Sequence, residues 1–250
     1  MASTLLFAAS SDWAPSLQPK TYVINKLSNG WRLMSPDRPY SIARSQIARH
    51  PGGQSIRFEL RGGEAWNRPS DPSFRSEIDT DDYVAIGSTQ WYGFSLYIPT
   101  DFPTENNRCV IGQWHNKAKA QIGEADKSPA VAQRFRNGRF YVTVRHTAQR
   151  IVAAPDQVPE ETVFETKDLR LGEWNDFVYQ VKWSCHKDGL INGWMNNKRI
   201  IQYRGPVGYN DEIGPTFKFG LYRDGTDKTY VVYFDEYRRG RSFTEVDPSK

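Results

Sequence analysis

Apolar and polar residues alternate with a period of two along most of this chain, in short runs set apart by Gly, Pro and Asn. A period of two puts successive side chains on opposite faces of an extended strand, whereas a helix needs apolar residues three and four positions apart. No stretch of about 12 residues carries the helical pattern. Runs at 55–61, 74–80, 90–98, 109–117, 139–146, 174–183, 189–196, 198–203, 216–221 and 229–238 read as strands. Aromatic residues make up 14% of the chain, with 8 Trp and 13 Tyr, and they concentrate in these runs, where large rings fit a pleated, half-buried surface. Asp188-Gly189 and Asn196-Asn197 have the chemistry of tight hairpin turns, and 105–107 and 117–129 read as loops. The expectation is an all-β sandwich of two antiparallel sheets, and 250 residues suit a single domain, 1–250. The first 30 residues carry no pattern that assigns them.

The charge balance is 33 basic against 29 acidic residues, a net charge of +4. That is too mild to indicate a nucleic-acid partner, and it suits an acidic ligand where the excess is local. No apolar run is long enough to cross a bilayer. Thr4 to Ala9 lacks the basic flank and the length of a complete signal sequence. Cys109 and Cys185 form neither a disulfide framework nor a metal motif, and a single bridge between them stays open. Four scattered histidines show no zinc-ligand spacing.

Function is argued from which residues share a face. Ile56, Phe58 and Leu60 alternate with Arg57, Glu59 and Arg61, and Ile78 alternates with Arg75, Glu77 and Asp79. Gln113, His115 and Lys117 share a side of their run. Lys218, Gly220 and Tyr222 oppose Phe217, Phe219 and Leu221, and Tyr141, Thr143 and Arg145 oppose Val142 and Val144. For one strand the economical reading is a solvated outer face. Taken together, the rows contain Arg, Gln, His, Lys and Tyr, which bind carboxylates and move protons. A concave sheet lined by them would bind an anionic chain.

The blocks Phe74-Arg75-Ser76-Glu77-Ile78, Ile111-Gly112-Gln113-Trp114-His115 and Phe217-Lys218-Phe219-Gly220-Leu221-Tyr222-Arg223 stand in a definite order, with a fourth block from Trp174 to Asn197. In this order and spacing the chain resembles, from about Ser55 to Arg241, the jelly-roll polysaccharide lyases that include the fungal glucuronan lyases and heparin lyase I. It is similar, more distantly, to the jelly-roll alginate lyases. The resemblance implies a β-jelly roll with a concave substrate groove and cleavage of a 4-linked uronate polymer by β-elimination, with glucuronan-like β-1,4-glucuronate favoured. It implies no cofactor in the chemical step.

Such a reaction removes the C5 proton beside a carboxylate and expels O4 of the neighbouring sugar. Groups that stabilise the charge spreading into the carboxylate fit by type as Gln113 and Arg75, with Lys218 as a further cation. By the resemblance, His115 and Tyr222 occupy the acid/base positions. If proton and leaving oxygen share a face, Tyr222 can serve as both base and acid while His115 holds the carboxylate; if they are opposed, His115 is the base and Tyr222 the acid. A tyrosine, with a reference pKa of about 10, needs cationic neighbours to act as a base, and Lys218 or Arg223 are the candidates. Asn116, Lys117, Arg145 and Arg223 are expected to contact further sugars.

Two other classes compete. Glu77-Ile78-Asp79-Thr80-Asp81 resembles the paired-carboxylate strand of jelly-roll glycoside hydrolases, with Glu77 and Asp79 as the pair, but Asp81 stands where a Glu is expected. A noncatalytic jelly roll would use the same Arg and aromatic residues only to hold acidic carbohydrate. Relatives of the resembled kind often carry a structural calcium, yet Glu59, Asp79, Asp211 and Asp235 show no ligand-loop spacing, and no metal ligands are assigned. The partner expected is an acidic polysaccharide, with no nucleic acid and no membrane. The chain is expected to be a monomer, secreted or periplasmic.

Overall fold

The computed structural model describes residues 31–66, 73–154 and 157–250. The segment 1–30 set apart in the sequence lies outside the described residues. In chain order the strands are β1 (Arg32–Met34), β2 (Ile42–Ser45), β3 (Ser55–Leu60), β4 (Arg75–Asp79), β5 (Thr89–Tyr97), β6 (Cys109–His115), β7 (Val131–Arg136) and β8 (Arg139–Thr147). They continue as β9 (Glu160–Thr166), β10 (Trp174–Lys182), β11 (Leu190–Met195), β12 (Lys198–Arg204), β13 (Gly208–Tyr209), β14 (Thr216–Arg223) and β15 (Tyr230–Gly240), followed by the short helix α1 (Phe243–Val246).

Two sheets face each other. One is eight-stranded, in the order β1-β4-β14-β6-β7-β8-β13 with β9 also on β8, and the other is seven-stranded, in the order β12-β11-β10-β5-β15-β3-β2. Neighbours in sequence are often far apart in the sheets, as β14 between β4 and β6 shows. This is the crossing connectivity of a β-sandwich jelly roll. The space between the sheets is filled with rings. Phe94 stacks on Phe217 at 5.2 Å and on Phe177 at 5.8 Å, and Trp114 lies 4.7 Å from Phe217 and 5.2 Å from Tyr179. Each is fully buried, and burying one such side chain stabilises the fold by roughly 1.5–3 kcal/mol.

The strands expected from alternation are present, and the differences have local causes. The row Arg57, Glu59 and Arg61 does not join the others, because β3 belongs to the seven-stranded sheet and its polar side faces outward there. Glu59 is bound on that surface by Arg57 and Arg61. Asn196 and Asn197 take the positive φ values (52° and 63°) of a tight turn joining β11 to β12. Asp188-Gly189 instead sits in the longer connection 183–189, where Ser184 and Lys182 both bind the Asp188 carboxylate. Asn137 and Gly138 (φ 54° and 67°) form a second tight hairpin, between β7 and β8. Cys109 and Cys185 are both free and buried, so no bridge joins them.

Two residues near the end of β14 fix its geometry. Gly220 has φ 131° beside a register shift between Phe219 and Tyr222, and a Cβ there would lie 2.3 Å from the Ser76 carbonyl oxygen and 2.7 Å from the Phe58 ring. The irregularity re-aims the strand just before Tyr222. Arg223, expected to meet sugar, points the other way. It is 1% exposed, its Nη2 donates to the Arg61 carbonyl at 2.8 Å and its Nη1 to the Asp224 carbonyl at 2.8 Å, and its guanidinium lies 5.1 Å from the Tyr230 ring. Side chains at 222 and 223 must leave opposite faces of one strand, so Arg223 is a structural clasp.

Gly220→Ala should destabilise the protein by on the order of 3 kcal/mol, combining an unfavourable φ with steric overlap, and a urea titration should show its midpoint lowered. Arg223→Met should cost about 2–4 kcal/mol by leaving buried carbonyls without a donor, read as a lowered melting temperature.

Candidate active site

The inner strands of the eight-stranded sheet present one polar face. Register places Tyr222 beside Arg75, Gly220 beside Glu77 and Lys218 beside Asp79 across β14 and β4. Across β14 and β6 it places Thr216 beside His115, Lys218 beside Gln113 and Tyr222 beside Val110. A cavity of about 350 Å³ opens on this face, lined by Arg75, Gln113, His115 and Tyr222 and by Arg108, Val110, Arg134, Arg145 and the segment 126–129. Sequence alternation therefore brings Arg75, Gln113, His115, Tyr222 and Arg145 to one cavity.

Glu77 lies beneath it. Its carboxylate is fully buried, accepts from Gln113 Nε2 at 2.5 Å and lies 3.7 Å from Arg75 Nη1. Burial pushes its pKa up, although Arg75, Lys218 and the Gln113 amide pull the other way. Glu77 thereby fixes the orientation of Gln113 and helps hold Arg75, whose Nε donates to Ser73 Oγ at 2.6 Å. Arg75 lies 4.4 Å from the centre of the Tyr222 ring and Arg108 lies 4.6 Å from it. Two guanidiniums thus flank the phenol, where negative charge developing on its oxygen would be neutralised.

His115 ends β6 half-buried. Its Nδ1 is 2.8 Å from the Asn116 carbonyl oxygen, a contact that requires Nδ1 to carry the proton and puts the lone pair of the neutral ring on Nε2. Burial, with the positive charges of Lys218 and Arg75, holds its pKa well below 6.5. At neutral pH it is an uncharged imidazole able to accept a proton.

The remaining expected residues divide. Lys218 is on the same face but lies 4.0 Å from the Asp79 carboxylate, with its side chain 11% exposed, and it does not line the cavity. It acts on the site through its charge. Asn116 is buried and donates Nδ2 to Asp211 at 2.9 Å, so its side chain braces a loop and does not face sugar. Lys117 is exposed beyond the end of β6 and is absent from the cavity lining. Glu77 and Asp79 are both fully buried. Asp79 is bound by Arg32, the Thr216 hydroxyl and the Asp81 backbone N–H. They form no exposed carboxylate pair of the kind a glycoside hydrolase needs.

Among the described residues no cluster of three or more His, Cys, Asp or Glu side chains could hold a metal ion. The acids weighed for calcium lie on separate elements with donors of their own, Glu59 with Arg57, Asp79 with Arg32, Asp211 with Lys127 and Asp235 with the Arg49 backbone N–H.

Sequence reasoning missed Arg108, Arg134 and the wall formed by 126–129. Arg134 was recoverable. Asn137-Gly138 is a strong two-residue hairpin signal, and reflecting 139–146 through it gives Val131, Gln133 and Phe135 on one side with Ala132, Arg134 and Arg136 on the other. The wall has no such signal, because it is held by a buried ion cluster between distant segments. Lys127 Nζ lies 2.7 Å from Asp211 Oδ1 and 2.9 Å from Glu124 Oε2, and Glu124 also accepts from the Val152 and Lys119 backbone N–H groups.

Comparison with known proteins agrees with this fold. The endo-β-1,4-glucuronan lyase from the fungus Trichoderma reesei superposes with a TM-score of 0.70 at 19% identity, covering 91% of this chain and 94% of that one. The alginate lyase vAL-1 from Chlorella virus superposes with a TM-score of 0.54 at 10% identity, covering 81% and 90%. The family 7 alginate lyase A1-II′, as a variant with one His changed to Asn and one Tyr to Phe in complex with substrate, gives a TM-score of 0.56 at 13% identity, covering 85% and 92%. No curated protein matches in sequence. Residues 25–238 match the family model described as polysaccharide lyase, most of the chain's length and every cavity residue, and the chain belongs to the polysaccharide lyases.

Proposed function

We propose that this lyase cleaves a 4-linked uronate polymer by β-elimination, with β-1,4-linked glucuronate the favoured substrate. The observation that carries the reading is the neutral His115 in one cavity with Tyr222, Gln113 and Arg75. Arg75 and the second N–H of Gln113 meet the carboxylate of the reacting sugar, lowering the energy of the charge that spreads into it. His115 Nε2 takes the C5 proton, and the Tyr222 hydroxyl protonates O4 as the bond breaks. In a β-1,4-linked glucuronate the C5 hydrogen and O4 leave from the same face of the ring, the case in which Tyr222 can serve as both base and acid; here the Nε2 lone pair of His115, on the same face of the sheet as Tyr222, favours His115 as the base instead. The likeness to the Trichoderma reesei endo-β-1,4-glucuronan lyase supports the polymer, and the His and Tyr replacements in the substrate-bound alginate lyase support the pair.

The guanidiniums beside Tyr222 favour a second reading, in which Tyr222 is base and acid in turn while Arg75 and Gln113 hold the carboxylate, His115 joining them only with a proton on Nε2. A substrate of this kind is extracellular, so export to the medium or periplasm belongs to the proposal; no helix among the described residues is long and apolar enough to cross a membrane.

Incubation with glucuronan, alginate, heparin, heparan sulfate, hyaluronan and pectate should raise the ultraviolet absorbance of a conjugated 4,5-unsaturated uronate on glucuronan first. A new reducing end without unsaturation would make the protein a hydrolase, and unchanged polymer throughout would make it a binding module. Tyr222→Phe should lower kcat by about 10²–10⁴-fold with polymer binding retained. His115→Ala should do the same if His115 is the base, and should retain partial turnover if Tyr222 fills both roles.

The base must be unprotonated to act, and the His115 pKa is depressed. The kcat/KM profile should therefore stay flat as pH falls through 6.5 and decline only well below it. A decline centred at 6.5 or above would remove His115 from the role of base.

A further inference from the structure

The cavity has cations on two sides, and only one side carries the acid/base pair. Tyr222, Gln113 and Arg75 stand on β14, β6 and β4; Arg134 and Arg145 stand on β7 and β8, with Val110 on the floor between. Register puts Arg134 beside Val110 and Val110 beside Tyr222, so the two sides are about 10 Å apart from backbone to backbone, two strand spacings.

Arg134 is only 5% exposed. Its Nε donates to Thr143 Oγ1 at 3.1 Å and its Nη2 to Glu160 Oε2 at 2.5 Å. Arg145 donates Nη1 to the Val158 carbonyl, its Nη2 lies 3.1 Å from the same Glu160 oxygen, and its Nε is buried without a hydrogen-bond partner. Two guanidiniums therefore share one carboxylate. Arginine does not shed its proton in a protein, so the pair keeps one formal positive charge and unmade donor valence at the edge of a cavity. Both are costly until an anion supplies acceptors.

Resting on the lyase reading, the geometry points to a second anion subsite, in which Arg134 and Arg145 take the carboxylate of the sugar next to the one that reacts. In a β-1,4-linked chain successive rings are turned over relative to one another, so neighbouring carboxylates leave on opposite edges. A groove with Arg75 and Gln113 on one edge and Arg134 and Arg145 on the other matches that alternation. The substrate class is therefore a β-1,4 polyuronate charged on every unit, in preference to a polymer that alternates uronate with neutral sugar. Glu160 spaces the two guanidiniums and leaves the pair positive.

The test compares two tetrasaccharides by calorimetry on Tyr222→Phe protein, which keeps ligand intact: β-1,4-tetraglucuronate, and a β-1,4-linked analogue in which glucuronate alternates with glucose. Tetraglucuronate should bind about ten-fold more tightly or better. Adding Arg145→Gln should erase that preference while leaving the affinity for the alternating ligand unchanged, and Arg134→Gln should act alike. Equal affinities for the two ligands, or substitutions that weaken both equally, would overturn the subsite. Should the buried Arg134 variant fail to fold, the comparison on Tyr222→Phe protein and the half-buried Arg145 variant still decide. Lack of unsaturated product from any polymer with the unsubstituted protein would sink the lyase reading instead, and the calorimetric preference is independent of it.

Discussion

The cleft side chains of β6 and β14 are fixed by the residues next to them in sequence, and that coupling is the constraint on which the site depends. On β6, Trp114 enters the ring core between Gln113 and His115; on β14, Phe219 and Leu221 enter it between Lys218, Gly220 and Tyr222. The large rings cannot rotate without opening a cavity, and large-to-small changes in such cores cost about 2–5 kcal/mol. The polar partners inherit that rigidity. A general base and acid held to fractions of an ångström need such support, and the ring core supplies it without placing a bulky group in the groove.

The second layer of control is electrical. Four charged groups of β1, β4 and β14, namely Arg32, Glu77, Asp79 and Lys218, are crowded beneath one wall, and the acids are fully removed from water. Burial opposes the charged form of each, raising the pKa of Glu77 and lowering that of Lys218. A buried network of this kind contributes little net stability compared with an apolar packing of the same volume. Its effect on function is clearer: the Lys218 and Arg75 charges, together with burial, keep His115 uncharged. Lys218 thus bears on His115 through its charge without lining the cavity.

Much of this was legible in the sequence, because period two is a direct record of which side faces water. Arg75, Gln113, His115 and Tyr222 could be placed on one face from alternation alone. The same rule failed where parity is shared but the sheet is not. Arg57 and Glu59 alternate just as Arg75 and Glu77 do, yet β3 pairs with β15 and β4 with β14, and pairing across such sequence distances leaves no local mark. Arg223 shows the complementary limit. Adjacent to Tyr222, it had to face the core, and alternation already implied this; its charge argued for solvent, but four backbone carbonyls and the Tyr230 ring take up its two terminal nitrogens and guanidinium face in the interior. Asn116 was legible as important and illegible in role, since it serves through its carbonyl oxygen and through a brace to Asp211.

The loop wall and the far edge of the groove belong together in this account. Lys127, Glu124 and Asp211 hold 119–129 against the end of β6, beside the Asn116 carbonyl that fixes the His115 tautomer. Arg145 anchors on the Val158 carbonyl and Glu160 along the opposite edge. Neither feature comes from the strands that carry the acid/base pair. On the proposed mechanism the inner strands set the chemistry, while β7, β8, the connection 116–129 and Val158 set which chain can lie over it. A change of polymer specificity with the chemistry retained would require altering only the second group, and the fold permits this because β7 and β8 do not pair with β14.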